Sequence, residues 1–294
     1  MISADGILSV RDASVGGDVL SSVIVQPPNW TDGAHLITLL IHGYNNNEEE
    51  AKQAYGKLLA QLETRPLSKI GCFHWPGDAE FGSLQAFDFL SYPTEIPDAK
   101  ASAKVLAKHL QNITRESNCS VEFNLVGHSM GCRLIVELLD EIAANADPVV
   151  SINLIMLMAA AIPVELMAPE SSFETNSQSI KDRLILFSDS DPVLQFAFPA
   201  GQELATAMGT DQGPYFEAVG RYGNPSSYQA ERFNRNGNSH GAYWSDKTVG
   251  TELKTRLGIA FERVITRYET CKFASVTAAK LQSRKIDSRH TPRW

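Results

Sequence analysis

The stretch from Ser120 to Ala144 constrains the fold more than any other part of the chain. Val121-Glu122-Phe123-Asn124-Leu125-Val126 has the character of a strand and becomes apolar toward its end, where it runs into Gly127-His128-Ser129-Met130-Gly131. Directly beyond, Leu134, Ile135, Leu138, Leu139 and Ile142 recur at helical spacing. A strand that becomes a helix through Gly-x-Ser-x-Gly carries its serine on a sharp elbow, with the side chain clear of the backbone and glycines where strand and helix approach closely. A serine that only capped the helix would need neither glycine.

The rest of the chain repeats this alternation. Short apolar and β-branched runs occur at SSVIVQ, HLITLLIHG, KIGCFHW, VVSINLIMLMAA and RLILFSD, with a further strand expected at YQAERFN. Helical patterns fall between them, at about Asn47–Glu63, Asp98–Ile113, Met130–Ala144 and Phe173–Lys181, and a final amphipathic helix is expected at about Thr251–Thr270. Strands alternating with helices predict an α/β fold: a mostly parallel central sheet covered by helices on both faces. From Gln195 to His240 the sequence turns rich in Gly, Pro, Asn and aromatics, so a lid or pocket wall is expected within 195–230.

Composition sets the outer bounds. At 294 residues and 43 % hydrophobic, with no repeat and no low-complexity linker, the simpler reading is one domain over 1–271. A basic tail over 272–294, partly disordered, completes the chain. No signal-like N-terminus and no apolar run long enough to span a bilayer are evident, which makes cytoplasmic residence the default expectation. Cys72, Cys119, Cys132 and Cys271 are scattered and read as free thiols, and the acceptor triplets at Asn29, Asn112 and Asn118 read as chance. The net charge of −8 divides into about −13 for the body and about +5 for the tail, which carries six Lys/Arg against one Asp from Lys272 to Trp294. An acidic body argues against nucleic acid as a partner, while the tail could contact a membrane or an acidic protein. Neither HExxH, GxxxxGK[ST] nor GxGxxG after a strand occurs, so neither a metal nor any other cofactor is expected.

A serine hydroxyl becomes a useful nucleophile only with a base to take its proton and donors to hold the oxyanion. The first donor expected is the backbone N–H of Met130, next to Ser129. The second should come from the end of HLITLLIHG, where the N–H of Tyr44 is preferred and that of Asn45 is next, because Gly43 lets the loop turn toward the serine. His42 in that loop reads as loop-ordering. An acid should follow a later strand, and RLILFSDSDPVL offers Asp191, preferred for the Asp-Pro turn into a helix, with Asp189 as the alternative; one of the two could simply cap that helix. His240, after the last strand, completes the order Ser, Asp, His, with His74 its main rival.

Taken together, HGYNN, HWPG, LVGHSMG, FSDSDPVL and the stretch from VGRYGNP to NSHGAYW resemble the α/β-hydrolase superfamily, and within it poorly characterised bacterial proteins of esterase or lipase type. The resemblance runs from about Ile37 to Trp244. It implies the α/β-hydrolase fold, with Ser129 as nucleophile, Asp191 as acid, His240 as base and main-chain donors at Tyr44 and Met130. It also implies that Trp75 and Pro76 border the pocket. The sequence departs from the pattern in setting Asp189 beside Asp191 and Gly241 after the histidine. The implied activity is hydrolysis of a small-molecule or acyl-chain ester or thioester through an acyl-enzyme. Acyl transfer to another acceptor and ligand binding without catalysis are the alternatives.

Overall fold

The computed structural model describes residues 3–13, 17–44, 46–78, 92–117, 120–145 and 149–287, with side chains as far as 267. Eight strands form one sheet: β1 (Gly6–Arg11), β2 (Val19–Gln26), β3 (Leu36–Ile41), β4 (Ser68–His74), β5 (Glu122–His128), β6 (Ser151–Met158), β7 (Asp182–Phe187) and β8 (Glu231–Asn234). Their spatial order is β2-β1-β4-β3-β5-β6-β7-β8, antiparallel between β1 and β2 and parallel elsewhere. β3 and β5 lie side by side at the centre and are buried along their whole length, which explains the nearly unbroken apolar run of β3; the buried Asn124 of β5 is satisfied by Thr38 and Asn153.

The helices are α1 (Glu48–Leu59), α2 (Tyr92–Glu116), α3 (Met130–Ala144), α4 (Ser172–Ser177), α5 (Phe198–Met208), α6 (Val219–Tyr222) and α7 (Lys247–Asp287). Right-handed crossovers put α1 on one face, because the chain steps from β3 back to β4, and α2 and α3 on the other, because it then steps forward through β5 to β6. The packing agrees: α2 lies along α3 and α5, while α7 reaches the α1 side through Lys254 on Glu63, just past α1, and through the turn at Ala242–Trp244, which touches both helices. One apolar core runs from Leu8 to Leu257 across these layers. Among the described residues, no helix is long and apolar enough to cross a membrane.

Several elements differ from the sequence expectation, among them β1, α2 and α7. Strand β1 was not anticipated: GILSVR is short, and its alternation of buried and exposed positions shows only once β4 is beside it. Helix α2 starts at Tyr92, not Asp98. Pro97 marks a helix start in sequence, yet here it sits inside the helix after the first turn. Helix α7 continues to Asp287, well past Thr270, through a run of helix-forming Ala, Lys, Leu, Gln and Arg.

Candidate active site

Ser129 occupies the junction of β5 and α3 with φ 52° and ψ −121°. A non-glycine residue at positive φ costs free energy, so the surroundings must fix it in place. They do so by backbone hydrogen bonds. The Ser129 N–H donates to Met158 O at 3.0 Å, and Ser129 O accepts from Cys132 N at 3.0 Å and Ala161 N at 3.2 Å. The flanking glycines are sterically required. A Cβ on Gly131 would lie 2.3 Å from His42 O, and one on Gly127 3.0 Å from Cys132 N and Gly131 O. Both expectations drawn from the elbow therefore hold: a strained serine, and close approach on either side of it.

His240 lies in the loop between β8 and the Ala242–Trp244 turn. Its Nε2 is 2.9 Å from Ser129 Oγ and its Nδ1 is 2.8 Å from Asp191 Oδ2. Asp191 is fully buried just past β7. Its other oxygen, Oδ1, accepts from the N–H groups of Val193 (2.9 Å) and Leu194 (3.2 Å). Burial alone would raise the pKa of this carboxyl, but the hydrogen bond from His240, the charge of that ring and the two backbone donors together hold it below the ordinary value. Arg221 in α6 donates to Asp191 O at 3.3 Å. This gives the VGRY segment a supporting place behind the loop that carries Asp191.

Asp189 points elsewhere: it is exposed and accepts from Asn234 Nδ2 at 3.1 Å. His74 is buried away from Ser129, with neither ring nitrogen hydrogen-bonded among the described residues, and burial pushes its pKa down to about 4.

The loop after β3 lies against the serine, since a Cβ on Gly43 would be 2.7 Å from Ser129 Cβ. His42 orders this loop. Its Nδ1 donates to Gly43 O at 2.8 Å, while its Nε2 accepts from the Trp75 N–H at 3.3 Å. This is a neutral ring, and burial holds its pKa well below the ordinary value. In a trans peptide the C=O and N–H point in opposite directions, so with Gly43 O turned to the imidazole, the Tyr44 N–H faces away from it. Asn45 lies outside the described residues. The Met130 N–H stands at the first position of α3, where a helix has no internal acceptor for it.

Trp75 and Pro76 follow β4 and lie behind the β3 loop. The Trp75 indole is fully buried, stacked on His42 with centroids 5.7 Å apart, and Nε1 donates to His42 O at 3.0 Å. Pro76 is buried as well. Trp75 thus backs the loop from inside, because burial of the large aromatic surface favours the interior.

Two residues that sequence reasoning passed over take part in this framework. His128 donates from Nε2 to His240 O at 2.7 Å. Arg11, at the end of β1, donates to Ala13 O, Asn46 O and Trp75 O and pairs with Asp78 at 2.5 Å, which ties the β3 loop to the β4 loop. A lone arginine and a histidine inside a motif carry no signal of such contacts in one dimension.

Beside this pair, Glu95 on α2 is buried, and burial first, then Asp98 and Asp78, pushes its pKa from 4.5 to about 8. The folded chain therefore keeps a proton that the unfolded chain releases above its ordinary value. Stability present below about pH 4.5 is lost as the pH rises through about 8. Thermal melts should show Glu95→Gln gaining on the parent between about pH 5 and about pH 9. A difference in Tm that does not change with pH would contradict this.

The family model described as "Alpha/beta hydrolase of unknown function (DUF900)" matches residues 30–215. The chain belongs to this family. Its match includes the β3 loop, the elbow and Asp191 and ends before His240. Among solved structures, the chain is similar to a hydrolase from Agrobacterium vitis S4, at 14 % identity over 80 % of this chain and 90 % of that one, with a TM-score of 0.42. It is also similar to carboxyl esterase 2 from the mycorrhizal fungus Tuber melanosporum (10 % identity, 75 % and 78 % covered, TM-score 0.44). A third is an esterase from Pyrobaculum calidifontis (12 %, 77 % and 77 %, 0.43). No curated protein matches the chain.

Proposed function

We propose that this α/β hydrolase cleaves a carboxylic ester or thioester of a small molecule or acyl chain through an acyl-enzyme on Ser129. The reading rests on one observation above all: an unbroken run of hydrogen bonds from Asp191 through His240 to a serine held at positive φ. As Oγ attacks the carbonyl carbon, His240 Nε2 takes its proton, and the buried carboxylate of Asp191 stabilises the resulting imidazolium. The oxyanion is held by the N–H groups of Met130 and Tyr44. His240 then returns the proton to the leaving oxygen or sulfur as the carbonyl re-forms. Water then attacks the acyl carbon, losing a proton to His240, and His240 returns that proton to Ser129 Oγ as the ester to Ser129 breaks and the acid is released.

The test is covalent labelling with a fluorophosphonate, followed by mass spectrometry of the modified peptide. The expected adduct lies on Ser129, and Ser129→Ala and His240→Ala should remain unlabelled over the same time. Labelling of Ser129→Ala at the parent rate would remove the proposal. With labelling on Ser129, turnover of p-nitrophenyl esters of graded chain length reports how long an acyl group the site accepts.

A further inference from the structure

We infer that His128 is a positioning residue that fixes the main chain of His240, an inference that rests on reading Ser129 and His240 as nucleophile and base. His128 is buried on the last residue of β5, one position before the serine, where pairing with Met158 of β6 holds its backbone. Its Nε2 lies 2.7 Å from the carbonyl oxygen of His240. A carbonyl only accepts, so Nε2 carries the proton and Nδ1 the lone pair. Nδ1 has no partner among the described residues and faces the β3 loop, 2.9 Å from where a Cβ on Gly43 would sit. One ring thus spans the elbow, the loop of His240 and the loop that carries Tyr44.

The need for such a tie follows from the rest of the His240 loop. Arg235 and Asn238 are fastened to Asp246, and Arg235 N–H donates to Phe187 O, but these contacts all lie outside residue 240 itself. Of the two ring bonds of His240, the one to Ser129 is remade during the reaction as the proton passes from Oγ to Nε2, and the one to Asp191 orients the ring without fixing the main chain of residue 240. The carbonyl bond to His128 does not change, and it comes from a strand of the central sheet. Trp244 and Tyr243 wall in the His128 ring, with centroids at 5.5 and 6.3 Å, so it has no room to swing away. Burial holds the ring neutral, with a pKa of about 3, so the donor persists at any pH where a hydrolase of this type works.

A displacement of about 1 Å in a reacting group costs about 10²-fold in rate. The experiment compares His128→Gln, whose amide N–H reaches about as far as Nε2, with His128→Asn, which is too short, and His128→Phe, which fills the space without a donor. Fluorophosphonate labelling rates and p-nitrophenyl ester kinetics are read alongside the low-field proton resonance of His240 Nδ1–H. Asn and Phe should lower kcat and the labelling rate about 10- to 100-fold with KM little changed, and weaken the low-field signal, while Gln restores both. Parent-like kcat in a folded Phe or Asn variant would overturn the inference. So would a Gln variant as slow as Asn, because filled volume and not the donor would then be what matters. If the parent itself is unlabelled at Ser129, the hydrolase reading fails separately. The low-field resonance still decides whether His128 holds His240: a signal equally sharp in all three variants overturns it.

Discussion

Asp191→Asn should lower kcat about 10⁴-fold in ester hydrolysis, while Asp189→Asn leaves it within about twofold. The asymmetry follows from the hydrogen bonds. In Asp191→Asn the side-chain oxygen can still accept from Val193 and Leu194, as Oδ1 does now, so the turn into the following helix keeps its cap. The atom facing His240 Nδ1 then becomes an amide N–H. It donates where the carboxylate accepted, and the imidazole responds by placing its proton on Nε2, the nitrogen that must be free to take the proton of Ser129. The fold survives and the base is lost. KM should change little and the melting temperature only modestly, which separates this outcome from unfolding. Asp189, exposed and bonded only to Asn234 among the described residues, has no such link to the imidazole. Equal losses in the two variants would show that the acid is shared or misassigned.

That pair also marks where sequence reasoning stops. The strand, elbow and helix around Ser129 are local, and local patterns carry them: apolar character rising toward Gly127, glycines at two fixed offsets, helical spacing beyond. The choice between Asp189 and Asp191 is not local. It depends on which carboxylate the turn sends inward, and the Asp191 N–H on Ser188 O sets that turn. The sequence reading also split two duties between the two residues, helix cap and acid, whereas Asp191 performs the capping with one oxygen and binds His240 with the other. His128 and Arg11 were invisible for a similar reason, since the partners that tie them across the fold lie 112 and 35 to 67 positions away. Helix α5 fell within an expected lid or pocket wall because the richness of Gln195–His240 in Gly, Pro, Asn and aromatics reads as irregular chain. In the fold, proline is tolerated at the second helical position, and Gly201 is where the helix packs against Tyr92.

The anchoring of that same segment leads to the second large effect, on stability. Arg133, one turn into α3 from Ser129, is buried, and its guanidinium grips both oxygens of Asp211 at 2.8 and 3.0 Å and Glu137 at 2.9 Å. Gln202 of α5 donates to the same Asp211 and to the Tyr92 hydroxyl of α2. Burial disfavours the charged guanidinium, yet the bidentate bond and the nearby carboxylates raise its pKa above the ordinary value, so the charge stays and needs its partner. Asp211→Ala leaves that charge in the interior with only Glu137, and should cost about 3–5 kcal/mol in denaturant unfolding. Adding Arg133→Met removes the stranded charge and fills most of its volume, so the double variant should recover a large part of the loss, giving a coupling of about 1–3 kcal/mol in the cycle. Additive effects would mean that the two side chains are not paired. Hydrogen exchange supplies the link back to the site. If the segment following α5 is fastened to α3 through this pair, amides after Met208 should exchange much faster in Asp211→Ala, while those of β5 and the elbow change only as far as global stability falls. A lid over Ser129, where one operates, would then have to move as a part of the 195–230 segment other than the stretch that Asp211 secures.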